Sequence, residues 1–228
     1  MCDVIASKRN STVCIFAKQN KQYNVVLDLD NTIICAYTVP KDSDLEIYRK
    51  NQLYLLDYYD KYIEQHVIIF ERPHLSTFLI TICYNYNVYI FTNATNAYAI
   101  DVISRIQSKH NIVFTGYCTR ITRPTENECG KYLSFFNING HKLSWINTVI
   151  VDDNDEVWVT EKCCQIIIYP YDINPDDIDA TKSDCHLLSA VGGILVKFNK
   201  YMEQDKQISQ LNLNDSLCES TKLLNSNN

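Results

Sequence analysis

No run in this 228-residue chain approaches the apolar length needed to cross a bilayer. The opening, MCDVIASKRNSTVCIF, also lacks a basic segment followed by a long apolar one, so no membrane partner is expected and the protein is read as intracellular. There is no dense Lys/Arg cluster. The 21 basic residues stand against 27 acidic ones, a formal net charge of −6, which argues against direct nucleic-acid binding through the phosphate backbone. A basic protein partner remains compatible with that charge. The ten cysteines are scattered without a CxxC pair, so reduced thiols are expected in place of a disulfide framework. The vicinal Cys163 and Cys164 have no second pair nearby to make a metal site with them and are read as ordinary thiols. No internal repeat is present. What is there is an ordinary globular composition, 46% hydrophobic and 21% charged, at a length that suits one core with insertions better than two full domains.

Residues 1–22 are polar and read as an N-terminal arm, residues 23–203 as the organised domain, and residues 204–228, rich in Asn, Ser and Gln, as a disordered tail. Within the domain, short apolar runs alternate with helical patterns, which predicts an α/β fold with a parallel sheet flanked by helices. NVVLDLD reads as the first central strand. A core-facing helix follows in RPHLSTFLITICYN, with Leu75, Phe78, Leu79, Ile82 and Cys83 on one face. VYIFTN is the next buried strand, and TNAYAIDVISRIQSKH a helix with Val102, Ile103 and Ile106 inward. INTVIVDDN and QIIIYP supply two more strands, and a closing helix places Leu187, Leu188, Val191, Leu195 and Phe198 on one side. Residues 36–70 break this alternation and are read as an insertion, whose tyrosines pack a small core or form a peptide-binding surface.

In a parallel sheet the carboxyl ends of the strands open onto one edge, where ligands bind. Three separate strands end there in polar residues: VVL delivers Asp28 and Asp30, VYIF delivers Thr92 and Asn93, and TVIV delivers Asp152 and Asp153. An aspartate after a strand is ordinarily a cap or turn residue, so the signal lies in the conjunction. Charges at the end of a buried strand are costly unless a cation or a phosphate pairs with them.

The order Asp-x-Asp-x-Thr, Thr, Lys, Asp-Asp resembles the haloacid dehalogenase (HAD) superfamily of phosphatases, with its Rossmannoid sheet and a small insertion after the first motif. VVLDLDNTII, FERPHLSTFL, VYIFTNATNAYA and VIVDDNDEVW are similar to segments of the FCP/SCP branch, the phosphatases of the RNA polymerase II C-terminal domain, over roughly residues 23–203. The resemblance implies that Asp28 is the nucleophile, forming an aspartyl-phosphate, and that Asp30 is the general acid and base. It implies a Mg2+ cofactor held by Asp28, the backbone carbonyl of Asp30 and Asp153. Thr92 and Lys131 bind the phosphoryl oxygens in this reading, with Lys142 as the alternative lysine. Asp152 orients the lysine and a water, and Thr32 stabilises the turn. Asn31 and Asn154 depart from the family's usual residues and bear on local hydrogen bonding.

A calcium loop in DLDNT or DDNDE lacks the EF-hand glycine and terminal glutamate at the required spacing. A receiver domain carries its acidic pair first, whereas here it comes last. The expected activity is a Ser/Thr phosphoprotein phosphatase; the alternatives are a catalytically weak scaffold on the same fold and a small-molecule phosphatase. Two phosphoprotein partners fit, the polymerase C-terminal tail and a basic DNA-packaging protein. The second follows from a resemblance to short baculovirus- and nudivirus-type proteins implicated in nucleocapsid assembly, which would place the chain in the host nucleus or virion.

Overall fold

The structure, a computed structural model, describes residues 5–9, 12–16, 21–120, 130–138, 141–158, 160–173 and 183–204. The main sheet runs β1 (Ile5–Arg9), β2 (Thr12–Phe16), β8 (Gly116–Arg120), β7 (Asn87–Thr95), β3 (Asn24–Leu27), β11 (Thr148–Asp152), β12 (Gln165–Ile167) across its width. From β8 to β12 all neighbours are parallel. The stretch read as an arm contains the β1–β2 hairpin, antiparallel to itself and to β8. The tail read as disordered lies outside the described residues beyond position 204.

Every residue of β3 is buried, because a central parallel strand is covered on both faces. Alternation assigns the faces. Val25, Leu27, Val88, Ile90, Val149 and Val151 point into the larger core, shared with α2 (Leu75–Asn85), α3 (Asn96–His110) and the helix over 186–204, here α4. Val26, Tyr89, Phe91 and Ile150 point the other way, where Leu133, Phe136, Leu143, Trp158 and Cys164 close the sheet. The core faces of α2 and α3 are as their periodicity predicts. That of α4 is rotated: Leu187, Ala190, Ile194 and Phe198 are buried, while the expected Leu188 and Leu195 are 40% and 47% exposed. Adjacent apolar pairs in this helix leave two stripes possible, and the close approach to β12 selects one. A Cβ at Gly193 would sit 3.1 Å from Ile166 Cδ1. Strand β8 was not legible, since GYCTR is short and polar and owes its extended form to its neighbours β7 and β2.

The insertion is an antiparallel three-stranded sheet in the order β4 (Ile34–Pro40), β6 (Gln65–Glu71), β5 (Tyr54–Asp60), with the short helix α1 (Glu46–Arg49) before β5. Val67 and Ile69 face the main core, whereas Ile68 and Phe70 face a separate core with Cys35, Val39, Tyr171 and Ile173. Its tyrosines divide: Tyr37, Tyr48 and Tyr54 pack against that small core, and Tyr58, Tyr59 and Tyr62 are exposed. The two-residue strand pair β9 (Asn137–Ile138) and β10 (His141–Lys142) completes the described strands.

One buried cation ties the insertion to the sheet. Arg72, directly after β6, is 1% exposed and donates to the carbonyls of Thr32 (3.0 Å) and Tyr169 (2.7 Å) and to Asp184 Oδ2 (2.9 Å), with Tyr171 beneath its guanidinium. The backbone N–H of Tyr171 in turn donates to Asn31 O at 2.6 Å, and Asn31 takes the left-handed conformation, φ 58°. The turn after β3 is thereby fixed from two directions. Burial pushes the Asp184 carboxyl up, but the Arg72 guanidinium and the His186 backbone N–H outweigh it and hold it below its ordinary value. Arg72→Met is expected to lower unfolding free energy by about 3 kcal/mol, since Thr32 and Tyr169 lose a donor and Asp184 its counter-charge. Urea denaturation with an unchanged slope checks this, and Arg72→Lys is expected to recover only part of the loss because an ammonium cannot reproduce the planar fork.

Candidate active site

The carboxyl ends of β3, β7 and β11 meet where the chain reverses its order across the sheet, β3 to β7 to β8 on one side and β11 to β12 on the other. Asp28 continues β3, its N–H donating to Val151 O at 2.9 Å, and the residue is 7% exposed. Ligand oxygens of Asp28, Asp152 and Asp153 lie within 4.8 Å of one another. The Thr32 hydroxyl, fully buried, sits 2.8 Å from Asp153 Oδ1 and 3.2 Å from Asp28 Oδ2 and accepts from the Asp153 N–H at 3.1 Å. With one proton to give, it donates to the nearer oxygen.

Lys131 is 2% exposed and ion-pairs with Asp28 Oδ1 and, at 2.7 Å, with Asp152 Oδ2. Its backbone N–H donates to Val157 O at 2.7 Å, so the loop after Asp153 carries the lysine. The ammonium lies 5.8 Å from the ring centres of both Phe91 and Trp158, within cation–π range. The Trp158 indole donates to the same Asp152 Oδ2 (2.8 Å), and the Asn154 N–H to Oδ1 (2.9 Å). Both oxygens of Asp152 are thus engaged by protein donors, three in all. Asp28 and Asp153 accept fewer hydrogen bonds and have more acceptor capacity toward an ion.

Asp30 stands apart from that cluster. Its Oδ1 accepts from the Tyr98 hydroxyl at 2.6 Å, and its Oδ2 lies 3.4 Å from Thr92 Oγ1, which itself accepts from the Ala94 N–H at 3.0 Å. Burial raises the Asp30 carboxyl above its ordinary value, opposed by the Tyr98 and Thr92 hydroxyls. Asp28 is pushed up to about 7 by burial, with Lys131 pulling it down and Asp152 and Asp30 pushing it up. Burial also lowers Lys131, but Asp28 and Asp152 outweigh it, and the lysine is held above its ordinary value and charged. Among the described residues, Lys131 is the one cationic side chain paired with this group of carboxylates, too little positive charge for four of them.

Every site residue read from the sequence therefore lies on this rim, with Asp30 contributing a carboxylate outside the triad that can share an ion. Lys142 lies in β10, and its side chain is outside the described residues. Cys163 and Cys164 are free thiols. Three contributors had no role assigned from sequence. Tyr98 lies one helical turn before Val102 on the core stripe of α3, so its hydroxyl was hidden in a hydrophobic pattern. Arg72 finds its partners far along the chain and Trp158 across a loop, although the charged pair Glu71–Arg72 after the apolar run VIIF was a signal of the same kind as Asp28.

The molecule is an α/β fold whose central strands end in a rim rich in aspartate. The NLI interacting factor-like phosphatases match residues 23–205, and the chain belongs to that family. It is 31% identical over 144 residues to the CTD phosphatase-like protein 355R of Invertebrate iridescent virus 6, covering 59% of this chain and 78% of the relative. A protein of the same name from Invertebrate iridescent virus 3 is 37% identical over 91 residues, covering 38% and 45%. Among solved structures the fold is similar to that of Fcp1, an essential RNA polymerase II CTD phosphatase, with a TM-score of 0.50 and 21% identity over 76% of this chain. The chain spans 54% of the length of that Fcp1 chain. The likeness confirms a HAD-like parallel sheet flanked by helices. No described helix is long and apolar enough to cross a membrane.

The electrostatics generate a prediction for the metal-free protein. The folded Asp28 carboxyl holds its proton up to about 7, the unfolded one only to about 3.8. Its contribution to stability is fully present below the unfolded value and is lost as pH rises through the folded one. Asp30, also raised, acts in the same direction. The unfolding temperature in chelator is expected to fall as pH rises from about 4 to about 7 and to level off above that, and Asp28→Asn to flatten the fall. Thermal denaturation at several pH values checks both.

Proposed function

We propose that this chain is a Mg2+-dependent phosphoprotein phosphatase that removes phosphate from serine or threonine through an aspartyl-phosphate on Asp28. The observation that carries the reading is the packing of Asp28, Asp152 and Asp153, from two different strands, within 4.8 Å of one another beside a buried lysine. A Mg2+ ion fits the residues present. The free donors are hard oxygens of Asp28 and Asp153, with the Asp30 carbonyl as the expected third protein ligand, and four carboxylates against one lysine require further positive charge. When bound, the ion supplies charge that lets these carboxylates coexist with a phosphate dianion.

The chain's own residues account for the rest. An Asp28 oxygen attacks phosphorus while the bond from phosphorus to the seryl or threonyl oxygen breaks, and the electron pair leaves with that oxygen. Asp30, whose raised pKa suits a proton carrier, gives its proton to the leaving oxygen. In the second half, water attacks phosphorus, Asp30 takes its proton, and the Asp28–phosphorus bond breaks to release phosphate. Thr92 and Lys131 hold the phosphoryl oxygens through both transfers. Asp152, engaged by Trp158 and the Asn154 N–H, fixes the lysine in place.

The insertion is a small three-stranded sheet, which supports an open cleft and an exposed phosphorylated segment as substrate. Of the two candidate partners, the names of the viral relatives and of the Fcp1 structure support the polymerase C-terminal tail over a basic DNA-packaging protein, and the same relatives support a viral, nuclear setting.

Mg2+-dependent hydrolysis of an aryl phosphate is expected, abolished by chelator and reduced at least a thousandfold by Asp28→Asn, which removes the nucleophile. Wild-type protein that neither turns over nor takes up beryllofluoride overturns the reading. Asp153→Asn is expected to raise the Mg2+ concentration for half-maximal activity about tenfold or more. A titration of rate against Mg2+ checks this.

A further inference from the structure

Besides Arg72 and the start of β4, the insertion sheet reaches the site through an aromatic contact. The Tyr58 ring, from β5, packs edge-on against the Tyr98 ring with centroids 6.5 Å apart and planes at 67°, and the Tyr98 hydroxyl donates to Asp30 Oδ1 at 2.6 Å. At its other end α3 is tied to the same insertion: Lys109 donates to Tyr54 O at 2.9 Å and pairs with Glu71, which also meets His110. We propose that Tyr98 is the positioning residue of the acid–base carboxyl, and that Tyr58 holds it in place from the insertion. The inference rests on the phosphatase reading of Asp30.

The geometry distinguishes the two Asp30 oxygens. Oδ1 is occupied by a short hydrogen bond from the Tyr98 hydroxyl, and an oxygen that accepts such a bond is a poor seat for the carboxyl proton. Oδ2 faces Thr92 at 3.4 Å, a contact at the outer limit of a hydrogen bond. The oxygen left to carry the transferred proton is therefore Oδ2, turned toward Thr92 and hence toward the phosphoryl group in the proposed site. From there it passes to the leaving oxygen as the bond to phosphorus breaks. Without the Tyr98 hydroxyl the carboxyl is free to rotate and to carry its proton on the wrong oxygen. Tyr58 acts by shape alone, since its ring edge limits the swing of Tyr98.

The signature of a misplaced general acid is dependence on the leaving group. A seryl alkoxide needs the proton as it departs, whereas a nitrophenolate departs without it. The test compares kcat/KM, which reports the steps through the first phosphoryl transfer, for a phosphoserine peptide and for p-nitrophenyl phosphate. Tyr98→Phe is expected to lose about tenfold on the peptide and less than twofold on the nitrophenyl ester. Tyr58→Ala is expected to show the same asymmetry in weaker form, and Tyr58→Phe to restore the peptide rate. Equal losses of Tyr98→Phe on both substrates, or no loss on either, overturn the inference while leaving the phosphatase reading intact. A wild-type protein without turnover on either substrate overturns both.

Discussion

Like charges crowded at the end of a buried sheet are the constraint from which the rest of this structure follows. Asp28, Asp30, Asp152 and Asp153 converge on a rim where burial opposes their ionisation, and one lysine is paired against them among the described residues. Each carboxylate is handled differently. Asp152 is engaged on both oxygens by Lys131, Trp158 and a backbone N–H, Asp30 is met by two hydroxyls, and the Thr32 hydroxyl lies between Asp28 and Asp153 and donates to the nearer Asp153. Two groups are thus made structural or poised, and two keep room for a ligand. Such a division suits a site that must hold a cation and a phosphate together.

The same constraint explains why the turn after β3 is held so firmly. In the proposed reaction, a nucleophile displaced by an ångström forfeits much of the advantage of in-line geometry. Arg72 grips the Thr32 carbonyl, Tyr171 the Asn31 carbonyl, and the Asp153 N–H the Thr32 hydroxyl. These contacts come from the end of β6, the exit of β12 and the end of β11, so the position of this turn depends on most of the fold. The insertion is part of that support, since its last strand carries Arg72 and its first follows the turn directly.

Much of this was legible in the residues. Val25, Val26 and Leu27 announce a strand covered on both faces, and α2 and α3 bury the stripes their spacing gives. Where the reading failed, the local pattern was ambiguous or silent. Leu187–Leu188 and Leu195–Val196 permit two faces for α4, and β8 has too little apolar character to declare itself. The tyrosines of the insertion could not be divided in advance, because whether Tyr54 or Tyr58 turns inward depends on which face of a three-stranded sheet meets the core.

By itself the sequence determined the strand ends that carry acid and hydroxyl groups, and the family to which their order belongs, because period and motif are local properties of the chain. Only the tertiary structure decided which oxygens are spent and which are free. Trp158 and Lys131 claim Asp152, and Tyr98 claims Asp30, through contacts spanning up to 68 residues, and no spacing rule encodes the direction in which a side chain points once three strands and a helix are brought to one edge.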